Sequence, residues 1–214
     1  MAHSLSDFKS KLKGGGARPN LFEVEFTNGT NAAAVGAAGG QTGGIPSGIT
    51  ALDADTFKYL CKAANLPASN VASIDVPFRG RTFKVAGDRT FDTWTITILN
   101  DTDFAIRRTM EEWAQKVAQY QDASGATNPA DYMGTATVRQ LGRLASNIGD
   151  GTANSKDNGL ETIAVYKFVD IFPTNISAID LSYDTTDTLE EFTVEFTVNY
   201  WYPESKNGPS GTSA

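Results

Sequence analysis

Residues 192–202 read FTVEFTVNYWY, and apolar and polar side chains alternate along this stretch. Such a period of two is typical of a β-strand with one buried face. Eleven extended residues span about 35 Å, which is long for a strand of a globular sheet. The sequence predicts that one face carries Phe192, Val194, Phe196, Val198, Tyr200 and Tyr202, and that the polar face carries Thr193, Glu195, Thr197 and Asn199.

The strand pattern recurs upstream, and one helical pattern interrupts it. Between Asp103 and Tyr120 the apolar residues recur every three or four positions, which predicts an amphipathic helix capped by residues 100–102. Residues 163–172 are apolar on both faces, as in a strand covered on both sides. The prediction is a mainly β fold, an antiparallel sandwich or barrel of seven to nine strands with one principal flanking helix. The other predicted strands cover 21–26, 57–63, 71–76, 81–85, 92–98, 135–144 and 179–183.

The amino-acid composition argues against several classes of functional site. The chain has 214 residues, 25 of them acidic and 18 basic, for a formal net charge of −7, which argues against a protein that grips nucleic acid. With one Cys and one His, neither an internal disulfide nor a Ser-His-Asp triad is expected, and no metal or cofactor site is predicted. No signal peptide or membrane segment is expected. Cys61 is interpreted as a small core residue.

Composition also divides the chain. We expect an N-terminal arm over 1–19 and a single β domain over 20–202. Within the domain, loop insertions are predicted at about 28–54, which is rich in Gly and Ala, and at about 146–159. Residues 203–214 are expected to form a flexible C-terminal tail. The acidic run at 184–191 is interpreted as a solvated turn rather than a calcium site, because it lacks a turn-forming Gly.

Several segments, in one order along the chain, resemble the tail tube family of T-even-like contractile-tailed bacteriophages. The most specific is VAGDRTFDTWT at 85–95. The others are ARPNLFEV at 17–24, CKAANLPA at 61–68, ND at 100–101, VRQ at 138–140, FPTN at 172–175 and the strand at 192–201. The insertions at 28–54 and 146–159 and the tail after Tyr202 depart from the family pattern. The resemblance therefore does not extend to the outer surface or to the contacts between rings.

The resemblance implies a structural virion protein. Its subunits would form six-fold rings with a shared inner β-barrel, and the rings would stack into the inner tail tube. The implied partners are other copies of the chain, the tail sheath protein, the baseplate hub, the tail terminator, a tape measure protein in the lumen, and DNA that passes without tight binding. The expected location is the virion tail, after synthesis in the cytoplasm of the host bacterium.

Two groups of residues are candidates for assembly or lumen roles. The first is a charged set beside the most family-specific segment, where 87–90 is interpreted as a turn, and it forms either a salt bridge between subunits or a brace within one subunit. The second is the polar face of the last strand, which faces either the lumen or the outer wall. An acidic lumen would repel phosphates. The first set is Arg79, Arg81, Asp88, Arg89 and Asp92; the second is Thr193, Glu195, Thr197 and Asn199.

Three alternatives remain at this point. The same kind of tube serves other contractile machines, such as type six secretion systems and phage-derived bacteriocins. A monomeric carbohydrate-binding β-sandwich would need an exposed aromatic platform, whereas Trp94 and Trp113 fall on predicted core stripes. An enzyme with paired carboxylates ranks last, because no local pattern singles out a pair.

Overall fold

The computed structural model describes residues 5–12, 16–26, 44–46, 49, 54–122, 124–145, 160–184 and 186–204. These ranges contain eight strands and four helices, of which one helix is long. In chain order the elements are α1 (Leu5–Lys11), β1 (Phe22–Phe26), α2 (Ala54–Leu60), β2 (Cys61–Ala64), β3 (Ser69–Phe78), β4 (Arg81–Phe91), β5 (Trp94–Leu99), α3 (Ala105–Val117), α4 (Pro129–Tyr132), β6 (Gly134–Ala145), β7 (Leu160–Ile176) and β8 (Glu191–Glu204).

Six strands form one antiparallel sheet in the order β1-β6-β7-β8-β5-β2. The edge strands β1 and β2 approach each other, so the sheet curls into a nearly closed barrel. Strands β3 and β4 pair only with each other and form a separate two-stranded sheet. The predicted fold class, a mainly β antiparallel barrel with one principal helix, is confirmed.

The barrel interior is filled by the stripes that the periodicities predicted. Trp94 of β5 stacks on Phe168 of β7 with ring centroids 4.7 Å apart, and both side chains are fully buried. The stripe of α3 reaches the same core, where Trp113 contacts Phe196. The Nε1–H of Trp113 donates to the carbonyl oxygen of Tyr132 at 2.6 Å, which ties α3 to α4. The helix is therefore part of the core rather than an appendage.

The strand predicted over 57–63 is wrong in its first half. Residues Ala54–Leu60 form α2, and only Cys61–Ala64 pair as a strand. Phe57, Leu60 and Cys61 have helical spacing and turn inward, whereas Tyr59 is exposed. In this short segment the apolar residues fit both periods, and packing decides in favour of the helix. Cys61 lies in the core, as expected.

The expectation of an exposed loop across 28–54 is also wrong in part. Gly44, Ile45 and Pro46 are buried. The amide nitrogen of Thr135 donates to the carbonyl oxygen of Gly44 at 3.1 Å, and the Gly44 amide donates to Thr135 Oγ1 at 2.7 Å. Ile45 lies in the core cluster, so burial of its side chain holds this piece against β6. Residues 27–43, 146–159 and 205–214 lie outside the described residues.

Two further local predictions fail around α3 and the chain before β8. Residues 179–183 do not form a strand. The N-cap of α3 is Phe104, with φ 53° and no capping side-chain bond, rather than a residue of 100–102. One of the predicted cap residues, Asn100, bonds elsewhere: its backbone N–H donates to the carbonyl oxygen of Glu190 at 2.9 Å.

The alternation of β8 changes near its end. Val198 is buried, but Trp201, three positions later, also packs against the core, and Tyr200 is 44% exposed. The change lies opposite Asp170 of β7, whose φ of 55° is left-handed. The left-handed residue lies between the pairs Val169–Tyr200 and Ile171–Val198, where the inward face of β8 changes. The predicted apolar face therefore ends at Val198, and Tyr200 and Tyr202 lie on the outward face.

Candidate assembly surfaces

The hairpin of β3 and β4 stands apart from the barrel sheet and is exposed along most of its length. It turns at Arg79-Gly80, where both residues have positive φ, 45° and 83°. Two positive φ values define a type I′ turn, whose twist matches that of the flanking strands. The Arg79 guanidinium lies 5.5 Å from the centroid of the Phe78 ring. The hairpin predicted from 71–76 and 81–85 is confirmed, and it is longer than predicted.

One face of the hairpin is apolar and uncovered. The register places Ile74 opposite Val85 and Val76 opposite Phe83, and directly opposed residues share a face. The other face carries the ion pair between Lys84 Nζ and Asp75 Oδ1, 3.0 Å long. We call the first surface the apolar ribbon face; its members are 42–66% exposed and are Ile74, Val76, Phe78, Phe83 and Val85.

A bulge interrupts the hairpin near its base. The register shifts between Val71 and Ser73, so that Gly87 and Asp88 lie opposite the single residue Ala72. A Cβ on Gly87 would lie 3.2 Å from the Ala72 carbonyl oxygen, so this close approach favours glycine. Residues 87–90 are therefore a bulged part of β4 and not the turn that the sequence predicted. A bulge re-aims the side chains beside it, here those of Asp88 and Arg89.

The five charged candidates all lie on the hairpin or at its base, and all are exposed. Arg79 is in the turn and Arg81 is opposite Phe78, on the apolar ribbon face. Asp92, just beyond β4, accepts a hydrogen bond from Asn70 Nδ2 at 3.1 Å, which braces the base. Within the described ranges, none of the five takes part in an ion pair.

The hairpin is joined to the barrel by an aromatic contact. Phe91, the last residue of β4, meets Trp201 of β8 with ring centroids 6.1 Å apart and ring planes at 70°. Trp201 also meets Tyr166 of β7 at 5.8 Å. The ribbon thus leaves the barrel beside the C-terminal end of β8.

The polar residues of β8 lie on the outward face of the barrel sheet. Glu195 lies between Thr95 of β5 and Asn175 of β7, and Thr193 lies beside Thr97. Asn199 falls where the alternation changes, and its Nδ2 lies 3.9 Å from Met133 Sδ. The structure thus brings Thr193, Glu195 and Thr197 onto one polar face and sets Asn199 at its end.

The charges of this outward face are largely paired. Arg139 pairs with Glu25, and Lys167 Nζ pairs with Glu204 Oε1 at 2.8 Å. Glu195 forms no ion pair with any other described residue. Its neighbours across the two adjoining strands are Thr95 and Asn175, so the described surface around Glu195 carries hydroxyl and amide groups and one carboxylate.

The described residues include no metal site, and their one thiol is buried. They contain no group of three or more His, Cys, Asp or Glu side chains placed to hold a metal ion. Burial raises the pKa of the Cys61 thiol to about 12, so the thiolate nucleophile is suppressed. None of the described helices combines the length and apolar character needed to cross a membrane.

Sequence reasoning missed the apolar ribbon face, although its signal was present. Apolar residues alternate with other residues at 74–78 and 83–85, as in strands with one apolar face. Only the topology shows that no described element of the chain covers this face, because β3 and β4 do not join the barrel sheet.

Comparisons with known proteins agree with this architecture. The family model described as phage tail tube protein matches residues 17–204. Tail tube protein gp19 of Enterobacteria phage T4 is 32% identical over 186 residues, which cover 86% of this chain and 90% of the relative. The tail tube protein of Serratia phage KSP90 is 24% identical, covering 68% of this chain and 75% of the relative.

Solved structures share the fold at low sequence identity. A chain of the sheath-tube complex of an extracellular contractile injection system, PVC, in its extended state has a TM-score of 0.55 at 10% identity and covers 95% of this chain and 99% of its own. A chain of the tube-terminating cap of the anti-feeding prophage has a TM-score of 0.53 at 12% identity, covering 89% and 91%. Because the family model and the T4 relative span most of the sequence, the chain belongs to the phage tail tube protein family, as a structural component of a virion tail and not an enzyme.

Proposed function

We propose that the chain builds the tail tube by forming six-membered rings that stack, with the hairpin of β3 and β4 as a contact between subunits. The observation that carries this proposal is the apolar ribbon face. An isolated two-stranded ribbon is marginally stable in water, and a contiguous exposed apolar surface marks an interaction site. Burial against a second subunit would supply the stabilisation that the single chain does not provide.

The charged residues of the hairpin would orient this contact. Arg79 and Arg81 lie at its tip, and Asp88 and Arg89 flank its bulge, so the ribbon presents both signs of charge around an apolar centre. Exposed charges at a rim contribute more to the choice of partner and to register than to affinity. We assign to Arg79, Arg81, Asp88 and Arg89 the role of setting the register between subunits, and to Asp92 the brace at the hairpin base.

The barrel sheet would join its neighbours around the ring. Strands β1 and β2 are the edges of a nearly closed sheet, and unpaired edges favour pairing with another chain. Residues 163–172, expected from the sequence to be covered on both faces, have their outward face half-buried or exposed in the single chain. Ring formation would cover part of this face.

The tube would lie inside a sheath, with a terminator at one end and a baseplate hub at the other. Structures with the same fold come from a sheath-tube complex and from a six-fold symmetrised baseplate, and they support this arrangement. In the lumen, a tape measure protein would be followed by DNA in transit. A wall that carries Thr193, Glu195, Thr197 and Asn199 would give DNA no cation to bind, so the duplex would slide past it.

A monomeric carbohydrate-binding module is disfavoured by the same structure. The two tryptophans considered for its aromatic platform, Trp94 and Trp113, are both fully buried in the core.

The hairpin contact is tested by a pair of substitutions on opposite faces of the ribbon. Phe83→Asp places a charge on the apolar ribbon face, whereas Thr82→Asp places the same charge on the polar face, one residue away. Both sites are exposed, so both monomers should fold with unchanged circular dichroism and Tm. We expect electron microscopy to show tubes for the unaltered chain and for Thr82→Asp, and none for Phe83→Asp. Normal tubes from Phe83→Asp would overturn the proposal.

A further inference from the structure

An open groove lies in the connection that leads from β7 to β8, a segment to which the sequence analysis assigned no function. It encloses about 630 Å³ and is formed by residues 178–183 and 188–191. Leu181, Tyr183 and Leu189 line it and are 74–105% exposed, so its apolar wall is uncovered in the single chain.

The rim of the groove is acidic. Asp180, Glu190 and Glu191 line it. Lys62 pairs with Glu191, and Glu190 accepts a hydrogen bond from Asn100 Nδ2 at 2.9 Å. Asp180 and Glu190 therefore leave the groove with a net negative charge. An occupant should combine an apolar stripe with positive charge.

Helix α1 has this combination. Leu5, Phe8 and Leu12 lie along one face of α1 and the residue after it, and they are 68%, 62% and 46% exposed. Lys9 and Lys11 add positive charge in its last turn. A helix of seven residues is unstable alone in water, so its apolar stripe needs a surface to pack on.

The groove and the start of β1, the strand that follows α1, lie at opposite ends of the barrel. Strand β1 begins at Phe22, which pairs with Gln140 of β6, and Gln140 pairs with Ala164 of β7. The next residue of β7 pairs with Glu204 of β8, so Phe22 lies at the Glu204 end of the barrel. The groove adjoins Glu191, at the other end of β8. The strand distance from Glu204 to Glu191 is about 43 Å. The chain from Leu12 to Phe22 extends at most about 36 Å, and a turn closed by Leu21 N and Arg18 O shortens it further.

We propose that α1 of one subunit docks in the 178–191 groove of a second copy, head to tail, with Lys9 and Lys11 facing the acidic rim. This rests on the proposed tube, because only a stacked neighbour presents its groove end to the arm end of the next subunit. A contact between unlike surfaces is heterologous, and such contacts propagate along a stack. The arm would therefore link one ring to the next.

Cross-linking between two different single variants tests the docking. Untagged Phe8→Cys is mixed with Leu189→Cys that carries a cleavable size tag, under conditions in which electron microscopy follows tube formation, and disulfides are formed by mild oxidation. Cys61 is buried and does not compete. We expect a mixed cross-linked dimer, and much less of it when Leu189→Cys is replaced by Thr82→Cys at the other end of the barrel.

Charge reversal supplies a second measurement. Lys9→Glu with Lys11→Glu in the Phe8→Cys chain should lower the mixed dimer about fivefold, and Asp180→Lys in the partner chain should restore part of it. Tubes without the mixed cross-link would overturn the docking while keeping the tube. A cross-link without tubes would keep the docking and overturn the tube, and the absence of both would overturn both. An internal disulfide in a Phe8→Cys, Leu189→Cys double variant, without cross-linking between chains, would also overturn the docking.

Discussion

The ring of Phe91 meets the ring of Trp201 edge to face, with centroids 6.1 Å apart, and thereby joins the exposed hairpin to the barrel. Edge-to-face pairs contribute about 1 kcal/mol beyond area burial. We expect Phe91→Ala to leave the barrel folded, to accelerate amide exchange across residues 69–91, and to lower Tm by a few degrees. The measurement is hydrogen exchange of the monomer followed by mass spectrometry.

Phe83→Ala is the matched control for this contact, because Phe83 lies on the same strand but is 66% exposed. Its monomer should exchange as the unaltered chain does. Equal exchange in the two variants would show that Phe91 does not hold the hairpin.

Gly134 should not tolerate a side chain. A Cβ there would clash with the Gly44 carbonyl oxygen and would lie 2.8 Å from the Trp113 ring. We expect Gly134→Ala to lower the free energy of unfolding by about 1–3 kcal/mol, the usual cost of overpacking. Urea denaturation followed by tryptophan fluorescence measures it. Gly80→Asn is the control, because a Cβ at Gly80 meets nothing within 4 Å and Asn tolerates positive φ. An unchanged midpoint for Gly134→Ala would mean that residues 44–46 do not pack against β6.

Glu195→Lys should slow the passage of DNA if the outward face of β8 lines the lumen. Each lysine on a phosphate adds affinity that falls with salt, and a ring would present one from every subunit. We expect slower genome ejection in low salt, relieved at high salt, with tubes of normal appearance. Glu195→Gln removes the charge without adding a cation and serves as the control. Ejection by Glu195→Lys that is normal at every salt concentration would place the residue away from the lumen.

Cys61 should be chemically silent at neutral pH. Desolvation by burial raises the pKa of the thiol from its ordinary value of 9.0 to about 12, so the folded thiol stays protonated. We expect iodoacetamide at pH 8 to modify the urea-unfolded chain quickly and the folded chain hardly at all. Modification of the folded chain at the unfolded rate would contradict the burial of the thiol.

The same shift has a definite sign for stability. Between about pH 9 and pH 12 the unfolded state releases the Cys61 proton, whereas the folded state keeps it. The free energy of unfolding therefore falls as pH rises through this range. Cys61→Ala should show a shallower loss of stability over this range than the unaltered chain, measured by urea midpoints.

Long periodic segments were predictable from the sequence, and short ones were not. The apolar stripes of β5, β8 and α3 are long enough to distinguish the strand period of two from the helical period of 3.6. Trp94, Phe196 and Trp113 lie in the core as predicted. Residues 57–60 fit both periods, and the change of face at Tyr200 depends on a left-handed residue in another strand, Asp170. Neither outcome is encoded in the local pattern.

The candidate site was predictable only in its composition. The charged set was placed on one stretch of chain, and the structure brings it onto one hairpin. That the apolar ribbon face has no described element covering it depends on β3 and β4 standing apart from the barrel, which is a property of topology. The groove likewise depends on residues 179–183, which do not form the strand that the sequence predicted.

The hairpin emerges beside Trp201, near one end of β8, while the 178–191 groove adjoins Glu191 at the other. A subunit with two unlike poles builds a filament that has a direction. Such a filament has a leading end and a trailing end that expose different chemistry, so the factor that starts growth and the factor that stops it need not compete for the same surface. In the proposed tube, the first ring would therefore set the orientation of every ring that follows.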